Sequence, residues 1–122
     1  MARIAVVDDS RLARTHTAAV LRKAGHEALE IEPTSLTEVL EALKQEKPDA
    51  LITDFLMPLC PCTSLVRTCH QDETLKEMRM IVLTAHHDED IEERLQRVGV
   101  SAILHKPVVA EELNSTLEGL LG

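Results

Sequence analysis

Five side chains in four short stretches stand out for their chemistry: Asp8 and Asp9 in VVDDS, Asp54 in DFLMP, Thr84 in LTA and Lys106 in HKP. Three carboxylates brought close together repel and raise one another's pKa unless a cation sits among them. An oxygen-only ligand set with few protein carboxylates suits Mg2+, which keeps several waters and shares phosphate oxygens. A hydroxyl and an ammonium aimed at the same point supply what a transferred phosphoryl group needs, a donor and a positive charge facing its equatorial oxygens. Taken singly, each residue is ordinary. An Asp pair before a helix caps a turn, a lone Asp ends a strand, a Thr bonds its own loop and a Lys sits in solvent. The chemistry depends on whether the fold brings them together.

The elements that position them are legible from apolar spacing. Short apolar runs recur as IAVV (4–7), ALEI (28–31), ALIT (50–53), MIVLT (80–84) and AIL (102–104). Several are β-branched and nearly continuous, as in parallel strands covered on both faces. Helical stripes lie between them. Ala13, Thr17, Val20, Leu21 and Ala24 share a face that Gly25 ends. Leu36, Val39, Leu40 and Leu43 follow, with Ser35 and Glu38 spaced as a capping box. Ile91, Leu95 and Val98 run from the cap Asp88 to the stop Gly99, and Leu113, Leu117, Leu120 and Leu121 close the chain. Segment 63–78 is the least regular; Leu65, Val66 and Cys69 predict a helix that frays before Arg79.

This βα alternation, repeated five times, predicts a three-layer α/β sandwich around a parallel sheet, with residues 1–122 forming one domain. In open sheets of this kind ligands bind beyond the carboxyl ends of the strands. The first, third, fourth and fifth strands end in Asp8-Asp9, Asp54, Thr84-Ala85 and His105-Lys106-Pro107. The second ends in Glu32-Pro33, outside the expected site.

Bulk properties exclude other classes. With 13 Lys and Arg against 21 Asp and Glu, the net charge is -8. No basic stripe is present to neutralise phosphates, which argues against a nucleic-acid face. The first ten residues do not read as a signal peptide, and no run approaches the ~18 apolar residues of a membrane span. Three cysteines, an odd number, suit a reducing cytoplasm. Phe55 is the only aromatic among Phe, Tyr and Trp, so the core must be aliphatic.

The order and spacing of VVDDS, DFLMP, LTA and HKP resemble the receiver domain of two-component response regulators, over essentially the whole chain. The resemblance implies a flavodoxin-like fold with strand order 2-1-3-4-5, as in a chemotaxis regulator of that class. It implies that Asp54 is the phosphoacceptor, taking a phosphoryl group from a histidine kinase or a phosphotransfer protein. It further implies Mg2+ held by Asp9, Asp54 and the backbone carbonyl of Leu56, with Asp8 helping through water. Thr84 resembles the switch hydroxyl, Lys106 the phosphate-pairing ammonium and Pro107 the proline after a cis bond. The implied module is not an enzyme in its own right. Its implied partner is an output protein or attached output domain, or a second copy meeting it through the fourth helix, fifth strand and fifth helix.

Three positions depart from the pattern. Cys62 stands where the family commonly has a glycine; if the backbone there needs φ > 0, a Cys costs of order 1 kcal/mol. With Cys60, and with Cys69 and His70 nearby, it also raises a metal or redox reading. A disulfide between cysteines one residue apart is strained and zinc wants four better-spaced ligands, so unlinked packing thiols are expected. Ile103 stands three residues before the lysine, where the family usually carries a ring that turns inward on phosphorylation; relay through this position is expected to be weak. Leu56 and His86 flank the phosphoryl position, where they would tune its lifetime.

Two rival functions compete. A phosphate-independent receiver would keep the acids and act only as a docking or dimerisation module. A phosphohydrolase using Asp54 would need a second acid two residues on, where Leu56 stands instead.

Overall fold

The computed structural model describes residues 1–122 as a five-stranded sheet in the order β2-β1-β3-β4-β5, with every neighbouring pair parallel. The strands are β1 (Arg3–Val7), β2 (Glu27–Ile31), β3 (Ala50–Asp54), β4 (Arg79–Thr84) and β5 (Ala102–His105). The helices between and after them are α1 (Arg11–Lys23), α2 (Leu36–Glu46), α3 (Cys62–Gln71), α4 (Glu89–Arg97) and α5 (Ala110–Leu121). The flavodoxin-like order expected from the motifs is therefore the one formed.

Successive strand side chains point to opposite faces, and this splits the core into two layers. Ala5, Val7, Leu51, Met80 and Val82 pack with Val39, Leu43, Leu65, Val66 and Leu95 from α2, α3 and α4. Ile4, Val6, Ile52, Ile81 and Leu83 pack with Ala18, Leu21, Leu113 and Leu117 from α1 and α5. Burying each such Leu or Ile contributes about 1.5–3 kcal/mol. The central strands β1, β3 and β4 are covered on both faces, which is why their sequences run apolar without alternation.

Most predicted helix boundaries hold. Ser10, Ser35 and Asp88 cap α1, α2 and α4 through their side chains. Gly25 and Gly99 follow α1 and α4 with φ of 94° and 105°, conformations that glycine adopts without a Cβ clash. The capping box at α2 is only half made. Ser35 Oγ accepts the Glu38 N–H at 3.1 Å, but the Glu38 carboxylate turns outward and accepts the Thr34 hydroxyl. The irregular segment resolves into α3, ending at Gln71, followed by turns that bury Leu75 and Met78 in the α2–α4 layer. The end of α2 carries no glycine; Lys47 takes the left-handed conformation at φ 47°.

Lys47 is the one non-glycine residue at positive φ, so Cys62 carries none of the strain that a left-handed backbone would have placed on it. It is the first residue of α3, entered from Pro61 at φ -57°, and its side chain is buried. No glycine is needed there because the chain has already turned into the helix.

Candidate functional site

The chain runs from β1 outward to the edge strand β2 and returns to pair β3 on the other side of β1. This reversal opens a crevice beyond the carboxyl ends of β1 and β3. The Asp8-Asp9 loop and Asp54 are delivered to it from the two sides.

The loop after β1 is held by its own backbone. Ser10 N–H donates to Asp8 Oδ1 at 2.9 Å, and Arg14 Nη1 on α1 donates to the Asp8 carbonyl at 2.8 Å. These bonds hold Asp8 inward, buried, and leave the adjacent Asp9 exposed. Asp54 is the last residue of β3 and is also buried, and the following Phe55 N–H donates to the Leu83 carbonyl at 3.0 Å. Asp8, Asp9 and Asp54 each bring a carboxylate oxygen within 4.8 Å of the others. Lys106 reaches the same point from the far side. Its backbone N–H donates to the Thr84 carbonyl at 2.8 Å, and its Nζ lies 3.0 Å from Asp54 Oδ1 and 3.2 Å from Asp8 Oδ2. The Lys106-Pro107 peptide is cis, as the resemblance implied.

The electrostatics follow from crowding. Burial pushes the Asp54 carboxyl above its ordinary value and the Asp8 charge adds to the rise; the bond from Lys106 only partly opposes them. For Lys106 burial acts downward, but the bonds and charges of Asp54 and Asp8 outweigh it, and the ammonium is held more firmly protonated than usual. Two buried acids with one ammonium between them leave a negative excess, which Asp9 enlarges. A divalent cation bound by oxygen is the group that this donor set fits.

Thr84 ends β4 and is buried, and its Oγ1 accepts the His86 N–H at 3.1 Å rather than a bond to Asp54. Leu56 and His86 are both exposed on loops at this edge. Ile103 is half-buried, packed against the α2–α4 layer beside Val82. Cys60, Cys62 and Cys69 are free and buried in that same layer. Burial pushes the thiols of Cys62 and Cys69 up to about 12, and that of Cys60 upward too.

Sequence reasoning missed two contacts here. Arg14 was not singled out, although an arginine one turn into a helix that starts beside two aspartates is a usable signal. The packing of His87 on His105 joins residues 18 positions apart and left no signal in the spacing.

The fold and this acidic crevice define a signalling receiver, and the comparisons agree. Residues 4–118 match the family described as response regulator receiver domain, and the chain belongs to it. It is 31% identical over 121 residues to protein PilH of Pseudomonas aeruginosa, covering 99% of this chain and 98% of PilH. It is also 31% identical over 118 residues to the phosphate regulon transcriptional regulatory protein PhoB of the same species, covering 97% of this chain and 51% of PhoB. The chain thus spans about half the length of that relative. The chemotaxis response regulator CheY4 of Vibrio cholerae superposes with a TM-score of 0.88 at 26% identity, covering 98% of each chain. The family is one of signalling domains. No helix is long and apolar enough to cross a membrane.

Proposed function

We propose that residues 1–122 act as one cytoplasmic domain that accepts a phosphoryl group on Asp54 and uses it to switch a protein-binding face. The observation that carries this is the meeting of Asp8, Asp9, Asp54 and the Lys106 ammonium at one point, from three distant parts of the chain.

Asp8, Asp9 and Asp54, with the backbone carbonyl of Leu56, would hold Mg2+. Bound there, Mg2+ supplies the positive charge that lets a phosphoryl group approach three carboxylates. A carboxylate is a weak nucleophile, so positioning and charge neutralisation do most of the work. An Asp54 oxygen attacks phosphorus in line with the P–N bond of a phosphohistidine. That bond breaks, the imidazole leaves, and an acyl phosphate forms. Lys106 releases Asp54 and pairs with the new phosphoryl oxygens. The donor is a sensor histidine kinase or phosphotransfer protein, and the chain's own part is to bind, orient and stabilise.

The added charge, about -1.5 to -2 by analogy with other phospho-residues, then draws the Thr84 hydroxyl from the His86 N–H toward the phosphoryl group. That movement biases the surface of α4, β5 and α5, where an output protein, an attached output domain or a second copy would bind. Ile103 contributes little, since a stiff aliphatic chain sweeps less volume than a ring. Leu56 and His86 set the lifetime of the phosphoryl group: Leu56 cannot orient water, whereas His86 can. The docking-only alternative is not favoured, because a passive surface has no need of a buried ammonium between two buried acids.

Incubation with acetyl phosphate and Mg2+, followed by intact mass and peptide mapping, tests this. One phosphoryl group on Asp54, dependent on Mg2+, is expected. A phosphoryl group on another residue, or none, overturns the assignment.

A further inference from the structure

Period-two alternation places His105 on the same side of β5 as Ile103, toward the α2–α4 layer, while Leu104 faces α1 and α5. The His105 imidazole lies over that of His87, with centroids 3.9 Å apart and planes 13° from parallel. His87 belongs to the loop between β4 and α4, next to the His86 whose N–H occupies the Thr84 hydroxyl. On its other side, His105 Nε2 stands 3.2 Å from Glu92 Oε2 on α4. His105 is also the ladder partner of Thr84. The loop that follows the switch hydroxyl, strand β5 and helix α4 are thus tied together by one ring pair and one carboxylate.

We propose that the His87–His105 stack, anchored on Glu92, is the positioning device that relays the state of Thr84 to α4, in place of the ring absent at Ile103. The proposal rests on the phosphoacceptor role of Asp54 given above. When Thr84 gives up the His86 N–H, the loop loses an anchor one residue before His87. His87 then slides on His105 or leaves it, and the hold of His105 on Glu92 changes with it. Aromatic pairs prefer offset or edge arrangements over close parallel overlap, so a small displacement of the loop has a second packing available.

Glu92 from α4 is the carboxylate in contact with the pair. His86 is exposed beside His87, and the Lys106 ammonium turns away to Asp54 and Asp8.

The test is amide hydrogen exchange across residues 85–98, with and without beryllofluoride and Mg2+ as a phosphoryl mimic. Acetyl phosphate uptake is measured by mass on the same proteins. In the wild type, protection across α4 should change by about fivefold or more. His105→Ala and His87→Ala should take up phosphoryl groups as the wild type does and lose the α4 response. His105→Phe, which keeps a ring for His87 but cannot bond Glu92, should weaken the α4 response, and Glu92→Ala should weaken it too. An undiminished α4 response in both alanine variants, with normal phosphoryl uptake, overturns the relay alone. So does a full α4 response in both His105→Phe and Glu92→Ala. Failure of the wild type to take up a phosphoryl group removes the phosphoacceptor reading and the relay together.

Discussion

The stretch DFLMPLCPC contains two kinds of reactive residue a few positions apart, and the fold treats them in opposite ways. Asp54 and Cys62 are both buried. Asp54 has an ammonium at 3.0 Å and a second buried acid beyond it. Cys62 and Cys60 sit among Leu65, Val66 and Met57, and burial drives both thiols up, away from the nucleophilic thiolate. Burial perturbs both groups, but only Asp54 is met by other functional groups from distant elements. A side chain's type raises the possibility of chemistry, and convergence decides it. Cys60 and Cys62 fill the layer beneath α3 and belong to packing, as unlinked thiols.

The sharpest way to break this contrast is Asp54→Asn. It keeps the volume and removes the nucleophile, so phosphoryl uptake from acetyl phosphate should vanish. Cys60→Ala should leave uptake unchanged, and a reversal of the two results in a mass measurement would invert the roles assigned here. Next in size is Lys106→Ala, which strips the donor from Asp54 and Asp8. Uptake should slow on the order of 10²-fold, the usual loss for one well-placed donor. A rate within a few-fold of wild type would mean that the ammonium is incidental.

The acidic site should also respond to pH as the thiols cannot. The folded pKa of Asp54 is raised above 3.8, so in the metal-free protein its contribution favours folding at low pH. That contribution is lost as pH rises through the raised value, because the unfolded carboxylate ionises more easily. Protons and Mg2+ therefore compete at a higher pH than an ordinary carboxylate would allow. Mg2+ affinity, followed by NMR titration, should weaken on acidification by up to about tenfold per pH unit once below that value. A flat affinity down to pH 3.8 would remove Asp54 from the ligand set.

The smallest effect tests the packing side. Cys62→Gly restores the family's commoner residue, yet it should destabilise by about 1–2 kcal/mol, because it empties a buried position and weakens the first turn of α3. Urea denaturation reads this directly. A neutral or stabilising result would mean that the backbone at this position prefers glycine after all.

Much of this molecule was legible in one dimension. The five strands, the stripes of α1, α2, α4 and α5, and the caps Ser35 and Asp88 are set by local periodicity and short-range bonding, and those signals lie within a few residues of one another. The site residues were legible for a related reason. A parallel sheet delivers the residue after every strand to one edge, so strand ends alone located Asp8, Asp9, Asp54, Thr84 and Lys106. Local signals fell short where the competing partner lay outside the window. Thr34 took the Glu38 carboxylate from the capping box, and Lys47 closed α2 without a glycine.

What remained was decided by distance in space. Whether Lys106 sits in solvent or 3.0 Å from Asp54, 52 residues earlier in the chain, depends on how β5 packs beside β4. Whether Cys62 strains its backbone depends on where α3 begins, which the burial of Leu65, Val66 and Cys69 against β3 and β4 selects. The stacking of His87 on His105 required a loop, a strand and α4 to meet. Residue order determines which groups reach the edge of the sheet, because that is fixed by strand length and direction. Which of them touch is set by close packing between elements, where tenths of an ångström separate a bond from a solvated side chain.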